Sequence, residues 1–303
     1  MASSKLRKVF ANPYIVFHYA ASRINLKWLP DLTYLKLMYR ARTGEKLNMD
    51  EPVTFNEKIQ WLKVYDRNPL YPQLVDKYEV RNYISSKIGE DYLIPLIGVY
   101  NHVDEIDFGT LPDSFVLKCT HDSGGVVICK DKGSFDLHAA KEKLERHMAI
   151  NYYWTKREWP YKYVTPKIVC EKYMVDESGL ELKDYKIFCF QGVPKMIQVD
   201  FDRFQGHKRN LYTPAWQYIA ASIEYPTDPD KKINKPQQLD QMLDLAGALS
   251  NGFPHVRVDF YSINERVYFG ELTFHHGSGI EKFEPGSLEV RMGEWIKIPP
   301  DSP

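Results

Sequence analysis

Several common chemistries have little to work with in this chain. Cysteine is sparse: Cys119, Cys129, Cys170 and Cys189 are the only four, with no C-x-x-C pair among them. Neither a disulfide framework nor a zinc site of ordinary ligand spacing is expected. Each cysteine sits in an apolar, strand-like run, which points to buried free thiols in a reducing compartment. Neither sign of charge is in excess, with 40 lysines and arginines against 40 aspartates and glutamates. That balance excludes the polycationic footprint of a nucleic-acid binder. Long apolar runs are missing too: "FANPYIVFHYAA" is broken by Asn12, Pro13 and His18 and falls short of the roughly 20 residues of a membrane span. Neither a cleavable signal nor a transmembrane helix is expected. The chain has no G-x-S-x-G elbow, no G-x-x-x-x-G-K-[ST] loop, no G-x-G-x-x-G loop, no internal repeat and no low-complexity tract.

What is present suits a globular protein. With 303 residues, 44% of them apolar, the chain can bury a sizeable core in one or two joined lobes. The first fifty residues are basic and aromatic: Lys5, Arg7, Lys8, Arg23, Lys27, Lys36, Arg40, Arg42 and Lys46 face only Asp31, Glu45 and Asp50. Such a segment packs as helices with a solvated basic face or lies on an anionic membrane surface. "TFNE" at 54–57 is a capping box opening a helix, and "DKYEVRNYISSKIG" reads as a helix starting near Asp76. "SFDLHAAKEKLERHMAIN" reads as an amphipathic helix from Ser134, and "PQQLDQMLDLAGALSNG" as another with Leu239, Met242, Leu243, Ala246 and Leu249 on one face. Strand-like runs lie in "FVLKC", "GVVICKD", "PKIVCEKYM", "DYKIFCFQG" and "PKMIQVDFD". The order predicts an α+β fold with antiparallel sheets.

Two features carry chemistry. The loop from Thr120 to Gly125 runs from strand to strand, so it is a tight turn or a glycine hairpin whose backbone N–H groups can approach phosphate oxygens. Lys118 alternates with the apolar Leu117 and Cys119 and so points away from their face. In "RVDFYSINERVYFGELTF", Asp259 stands twelve positions ahead of Glu271. A hairpin pairing them also pairs Tyr261 with Phe269 and Ile263 with Val267, closing on Asn264, Glu265 and Arg266. Like charges so placed destabilise a sheet unless a cation or an arginine lies between them. A hard divalent metal meets that need, with Thr273 offering a hydroxyl, and Arg257 is the alternative neutralising partner or a phosphate clamp.

Together these residues resemble an ATP-grasp enzyme: Lys77 opening a helix, Lys118 before a glycine hairpin, "EKYM" ending a strand, and Asp259 with Glu271 near the C-terminus. "TFNEKIQWLK", "DKYEVRNYI", "FVLKCTHDSGG", "DYKIFCFQG", "RVDFY" and "FGELTF" resemble the TupA-like branch, from about residue 30 to 295. That branch is associated with bacterial teichuronopeptide and capsular polysaccharide biosynthesis. The resemblance implies two α+β lobes with nucleotide between them: a helical segment over 1–70, a small lobe over 71–165 and a large lobe over 166–303.

The resemblance also implies roles. Lys77, Lys118, Ser123, Gly124 and Gly125 are expected to hold ATP phosphates, and Glu171, Tyr173 and Met174 to form the hinge that meets adenine. Lys186 is expected to contact nucleotide. Asp259 and Glu271 are expected to hold Mg²⁺, with the third ligand left open because Thr273 stands where the family pattern has asparagine. Arg203, Arg209 and Arg257 are expected to clamp the transferring phosphoryl group or the substrate carboxylate. The implied reaction joins a uronic-acid carboxylate of a bacterial glycan or sugar nucleotide to a free amino acid through an acyl phosphate, in the cytoplasm or at the inner membrane face. The stretch "NYYWTKREWPYKY" reads as a sugar-stacking surface or a lobe linker, and His275 and His276 as lining the acceptor site. Two other readings stand beside it: a glycosyltransferase using the D-x-D of Asp200 and Asp202, and a non-catalytic ATP or glycan binder.

Overall fold

The computed structural model describes residues 14, 16–17, 26–176, 182–202 and 206–298. The helices are α1 Asp31–Thr43, α2 Phe55–Tyr65, α3 Tyr71–Val75, α4 Val80–Lys87, α5 Leu137–Met148, α6 Tyr153–Lys156, α7 Leu239–Ser250 and α8 Gly286–Trp295. Strands β1 Leu96–Tyr100, β2 Phe115–Cys119, β3 Val126–Cys129 and β4 Ile168–Lys172 make a four-stranded sheet in the order β1-β4-β2-β3. Strands β5 Asp184–Phe190, β6 Val193–Phe201, β7 Lys208–Tyr212, β8 Tyr218–Ile219, β10 Val256–Ile263 and β11 Arg266–Thr273 make a six-stranded sheet, β11-β10-β5-β6-β7-β8. The short β9 Ser222–Ile223 and β12 Phe283–Glu284 pair separately. Every pairing is antiparallel, as the α+β expectation requires. β4, which the partition at residue 166 assigns to the second lobe, pairs inside the first sheet with β1 and β2.

The six-stranded sheet is covered on both faces. Tyr185, Ile187, Cys189, Val256, Val258 and Phe260 face one way and pack with α3, α4 and α7. Phe188, Phe190, Met196 and Leu211 face the other way and pack with α1, α2 and α8. The described part of the basic front end is therefore built into the core. Phe55 is fully buried there, an anchor contributing about 2–3 kcal/mol. Gly293 of α8 leaves room for this contact, since a Cβ there would lie 2.1 Å from the Val53 carbonyl. The small sheet has its own core around Phe115, Leu117, Cys119 and Leu144. All four cysteines are buried and free.

Three local expectations need correction. The capping box at Thr54 and Glu57 is present, but the helix expected from Asp76 begins at Val80. The Asp76 carboxylate accepts from Tyr78 N at 2.7 Å and Glu79 N at 2.9 Å, holding 76–79 in an Asx-type turn that leaves Lys77 ahead of the helix. α5 starts at Leu137, because Asp136 rather than Ser134 supplies the cap, accepting from Ala139 N at 2.9 Å. In the β10–β11 hairpin Asp259 does pair with Glu271, but Phe260 pairs with Phe269, Tyr261 with Tyr268 and Ile263 with Arg266. The turn has two residues, Asn264 and Glu265, both at positive φ, the geometry that matches strand twist. The resulting one-residue slip is absorbed by a bulge at Gly270, where a Cβ would lie 3.0 Å from the Asp259 carbonyl.

Candidate active site

Alternation along β5 and β10 puts Lys186, Arg257 and Asp259 on one face of the large sheet, opposite the α7 side. Arg257 is the hub. Its Nε donates to Asp259 Oδ1 at 2.7 Å, and its Nη2 to Asp259 Oδ2 at 2.7 Å and Glu271 Oε1 at 2.8 Å. Lys186 Nζ donates to Asp184 and, at 3.2 Å, to Asp259 Oδ2. Burial opposes the charge on Arg257, and Asp259 and Glu271 outweigh it and hold the guanidinium charged. Burial pushes the Asp259 carboxyl up, with Arg257 and Lys186 pulling back. Burial also works against Glu271, but Arg257, Lys186 and Lys77 win and hold it below the usual carboxylate range.

Behind Arg257 lies a buried cluster of charged groups that sequence reasoning missed. Arg257 Nη1 donates to His276 Nδ1 at 2.8 Å, and His276 Nε2 lies 2.9 Å from Glu281 Oε2. The ring therefore carries its proton on Nε2, and burial holds its pKa below the ordinary value. Glu281 in turn lies 3.6 Å from Arg209 Nη1. Arg209 is 5% exposed and binds Asp200 at 2.7 Å and the Ile223 carbonyl at 3.0 Å. It is thus a member of the network behind the site. Asp200 is committed to it, while Asp202 is exposed and pairs loosely with Lys231 at 3.5 Å. The D-x-D residues offer no converging pair of open carboxylates. Arg203 lies outside the described residues.

On the small-sheet side, Lys118 points away from Leu117 and Cys119 as expected, and its Nζ donates to Glu171 at 2.7 Å. Arg81 lies 3.5 Å from the same carboxylate. Lys77 Nζ donates to the Cys119 and Asp122 carbonyls, and burial lowers its pKa. The glycine hairpin is held by Asp122, whose carboxylate meets His147 Nδ1 of α5. Among the described residues, the backbone N–H groups of Ser123, Gly124 and Gly125 make no hydrogen bond, the arrangement of an anion nest.

These residues border three neighbouring chambers that share wall residues. An outer chamber of about 400 Å³ is lined by Ile94, Val116, Ile128, Tyr173, Met174, Leu182 and Tyr261. It shares Lys118, Val126 and Glu171 with a middle chamber of about 300 Å³ lined also by Lys77, Lys186, Arg257, Asp259 and Glu271. That shares Lys77, Arg257 and Glu271 with an inner chamber of about 180 Å³ lined also by Ser123, Tyr152, Lys156, Glu158, Tyr161, Thr273, His275 and Ser278.

Tyr152, Lys156, Glu158 and Tyr161 of the stretch 151–163 form part of the wall of the inner chamber. Arg157 anchors the stretch, at φ 56° and 2% exposure, over the rings of Tyr34, Tyr153 and Trp154, with hydrogen bonds to the Leu26 and Leu29 carbonyls. The loop 275–279 lies opposite, pinned from α2. Lys63 Nζ donates to Ser278 O at 2.7 Å, Ser278 Oγ at 2.6 Å and Lys156 O at 3.1 Å. Gln60 donates to the Ser278 and Gly279 carbonyls. Burial pushes the Lys63 pKa down to about 7.

The donor set suits a hard divalent cation. Both hydrogen bonds received by Glu271 go to Oε1, from Arg257 and from Thr273 Oγ1 at 3.2 Å, and its side chain is 50% exposed. Among the described residues no group of three or more His, Cys, Asp or Glu could hold a metal unaided. Such a pair of carboxylates matches magnesium, which takes one or two and completes its shell with phosphates and water.

Among the described residues no helix is long and apolar enough to cross a membrane. No curated protein matches the sequence significantly. Distant likenesses run to solved structures: D-alanine-D-alanine ligase from Helicobacter pylori (14% identity, 80% of this chain and 69% of that one, TM-score 0.43); D-alanine-D-alanine ligase from Bacillus anthracis complexed with ATP (17%, 67% and 55%, 0.38); and L-amino acid ligase from Bacillus licheniformis (14%, 84% and 57%, 0.45). The chain thus spans little more than half the length of two of these. The family model described as TupA-like ATPgrasp matches residues 57–297, most of the chain and all three chambers, and the protein belongs to that family.

Proposed function

We propose that the protein is an ATP-dependent ligase that joins a carboxylate to an amine through an acyl phosphate. The observation carrying this reading is the succession of chambers: apolar, then lysine- and carboxylate-lined, then polar, sharing walls in that order. Adenine occupies the outer chamber against Met174 and Tyr173, next to Glu171 at the end of β4. Lys118, Lys77 and the hairpin N–H groups hold the phosphates, with Lys186 at the sheet side. Magnesium would be held by Asp259 and Glu271, with Thr273 alongside, and supplies charge neutralisation at the phosphates when bound.

A substrate carboxylate at the junction of the middle and inner chambers attacks the γ-phosphoryl group, giving an acyl phosphate and ADP, and an amine then displaces phosphate to leave an amide. Arg257 stands at the junction of middle and inner chambers, where its charge opposes the one that develops on the transferring oxygens. Arg203 is a candidate clamp for the substrate carboxylate, and Arg209 acts at a distance by holding Glu281 and, through it, His276. No protein nucleophile is needed. Burial pushes the thiols of Cys119, Cys170 and Cys189 up to about 12, far from thiolate reactivity.

The carboxylate belongs to a uronic acid of a bacterial surface glycan and the amine to a free amino acid, as the sequence resemblance implies. The test is ADP release from Mg²⁺-ATP across a matrix of uronic-acid glycans and amino acids, with mass spectrometry of the products. ADP that needs both partners, with a mass gain of one amino acid less water, is expected. Consumption of nucleotide sugar without ATP hydrolysis, or no turnover with any pair, would sink the proposal.

A further inference from the structure

We infer that Glu158 receives the ammonium group of a free amino acid in the inner chamber, with Lys156 taking its carboxylate. This deepens the ligase reading and rests on it for the amine's fate. Glu158 is 6% exposed and lines the chamber, yet its carboxylate makes no hydrogen bond to any described residue. A carboxylate so deep is costly unless a cation or several donors meet it.

The groups facing it leave that need open. His275 Nδ1 stands 3.9 Å away, and burial holds that ring neutral, well below its ordinary pKa. Lys63 attracts Glu158 at longer range, but its ammonium donates to Ser278 and the Lys156 carbonyl. Tyr152 and Tyr161 share the chamber, and burial keeps both phenols protonated. A small cation with several N–H donors completes the set, and a primary ammonium is that cation.

Size and the opposite charge narrow the ligand further. A chamber of about 180 Å³ has room for a free amino acid. Lys156 is exposed and lines the same chamber as the buried acid, so the two charges bracket a zwitterion. That leaves the glycan carboxylate the Glu271 side, which this chamber shares with the middle one.

The experiment is isothermal titration calorimetry of the full chain with Mg²⁺ and a non-hydrolysable ATP analogue. L- and D-amino acids are titrated, each beside its N-acetyl and its carboxamide form. At least one free amino acid binds the wild type. Its N-acetyl form binds at least tenfold more weakly, and Glu158→Gln weakens the free form at least tenfold with nucleotide affinity and melting temperature kept. Lys156→Met weakens the free acid but not its carboxamide. Overturning results are binding by no amino acid, equal affinity for the N-acetyl form, or wild-type affinity in Glu158→Gln. If that variant does not fold, the N-acetyl comparison on the wild type decides. Binding that passes these tests without ADP release removes the ligase reading and leaves Glu158 assigned. Turnover with an unchanged amino-acid KM in Glu158→Gln does the reverse.

Discussion

The guanidinium of Arg257 grips the Asp259 carboxylate with two hydrogen bonds of 2.7 Å each, and the same Nη2 donates to Glu271 at 2.8 Å. The cross-strand clash of two carboxylates is thereby resolved inside the protein, without a metal. A metal that enters must share these oxygens with the arginine, and the first two predictions follow from that competition.

Replacing Arg257 with Met takes the guanidinium from between the paired carboxylates and leaves buried Asp259 with Lys186 as its cation. The expected loss is about 3–5 kcal/mol of stability. Added Mg²⁺ should restore part of it, raising the melting temperature of the variant by more than it raises that of the wild type. A variant that melts alike with and without Mg²⁺ would contradict the placement of the metal here.

The two carboxylates separate by burial. Glu271→Gln, at a half-exposed side chain, should leave stability within about 1 kcal/mol while cutting Mg²⁺-ATP turnover by about 10²-fold. Asp259→Asn, at 2% exposure, strips Arg257 of a charged partner and should lose turnover and also about 1.5–3 kcal/mol. Denaturant titration beside ADP release distinguishes the two patterns.

Lys118 sits between the outer and middle chambers with its side chain 22% exposed. Lys118→Met should weaken Mg²⁺-ATP binding about tenfold or more, equivalent to at least about 1.4 kcal/mol, without lowering the melting temperature by more than a degree or two. Nucleotide affinity unchanged in this variant would remove Lys118 from the phosphate site.

His255 provides a pH signature of the fold. Burial lowers its pKa to about 3, against the ordinary 6.5, and the ring is held by the Cys189 carbonyl at 3.0 Å and stacks on Phe190. Between those values the unfolded chain binds a proton that the folded one refuses, so stability is full above pH 6.5 and falls as pH drops toward 3. The slope is about 1.4 kcal/mol per pH unit for this one proton. Urea unfolding from pH 7.5 to 5 should show at least that slope in the wild type, since buried His275 and His276 add in the same direction, and a slope smaller by one proton in His255→Phe.

Much of this was written in local sequence. The Thr54–Glu57 capping box, the amphipathic face of α7 and the Asp259–Glu271 pairing each follow from short-range rules. The slip at Gly270 did not, because "NE" carries no turn signal and only the paired strands force both residues to positive φ. Lys63 reads as a surface lysine, yet it continues the spacing of Asn56, Ile59 and Gln60 along the inward face of α2, a periodicity that was there to be read. Glu158 was hidden for a different reason. Its burial depends on Arg157 being clamped by three rings from α1 and the linker, contacts more than a hundred residues apart for Tyr34. The cluster of His276 and Glu281 likewise forms only once the fold brings the 275–281 loop to Arg257 of β10.

The most direct test of the central claim follows an oxygen atom. The carboxylate substrate found by the ADP screen is labelled with ¹⁸O in its carboxyl group and turned over with ATP, Mg²⁺ and the amine. An acyl phosphate transfers one labelled oxygen to inorganic phosphate with each amide formed, and that is the predicted result. Label appearing in AMP, or phosphate released without label while amide forms, would contradict it.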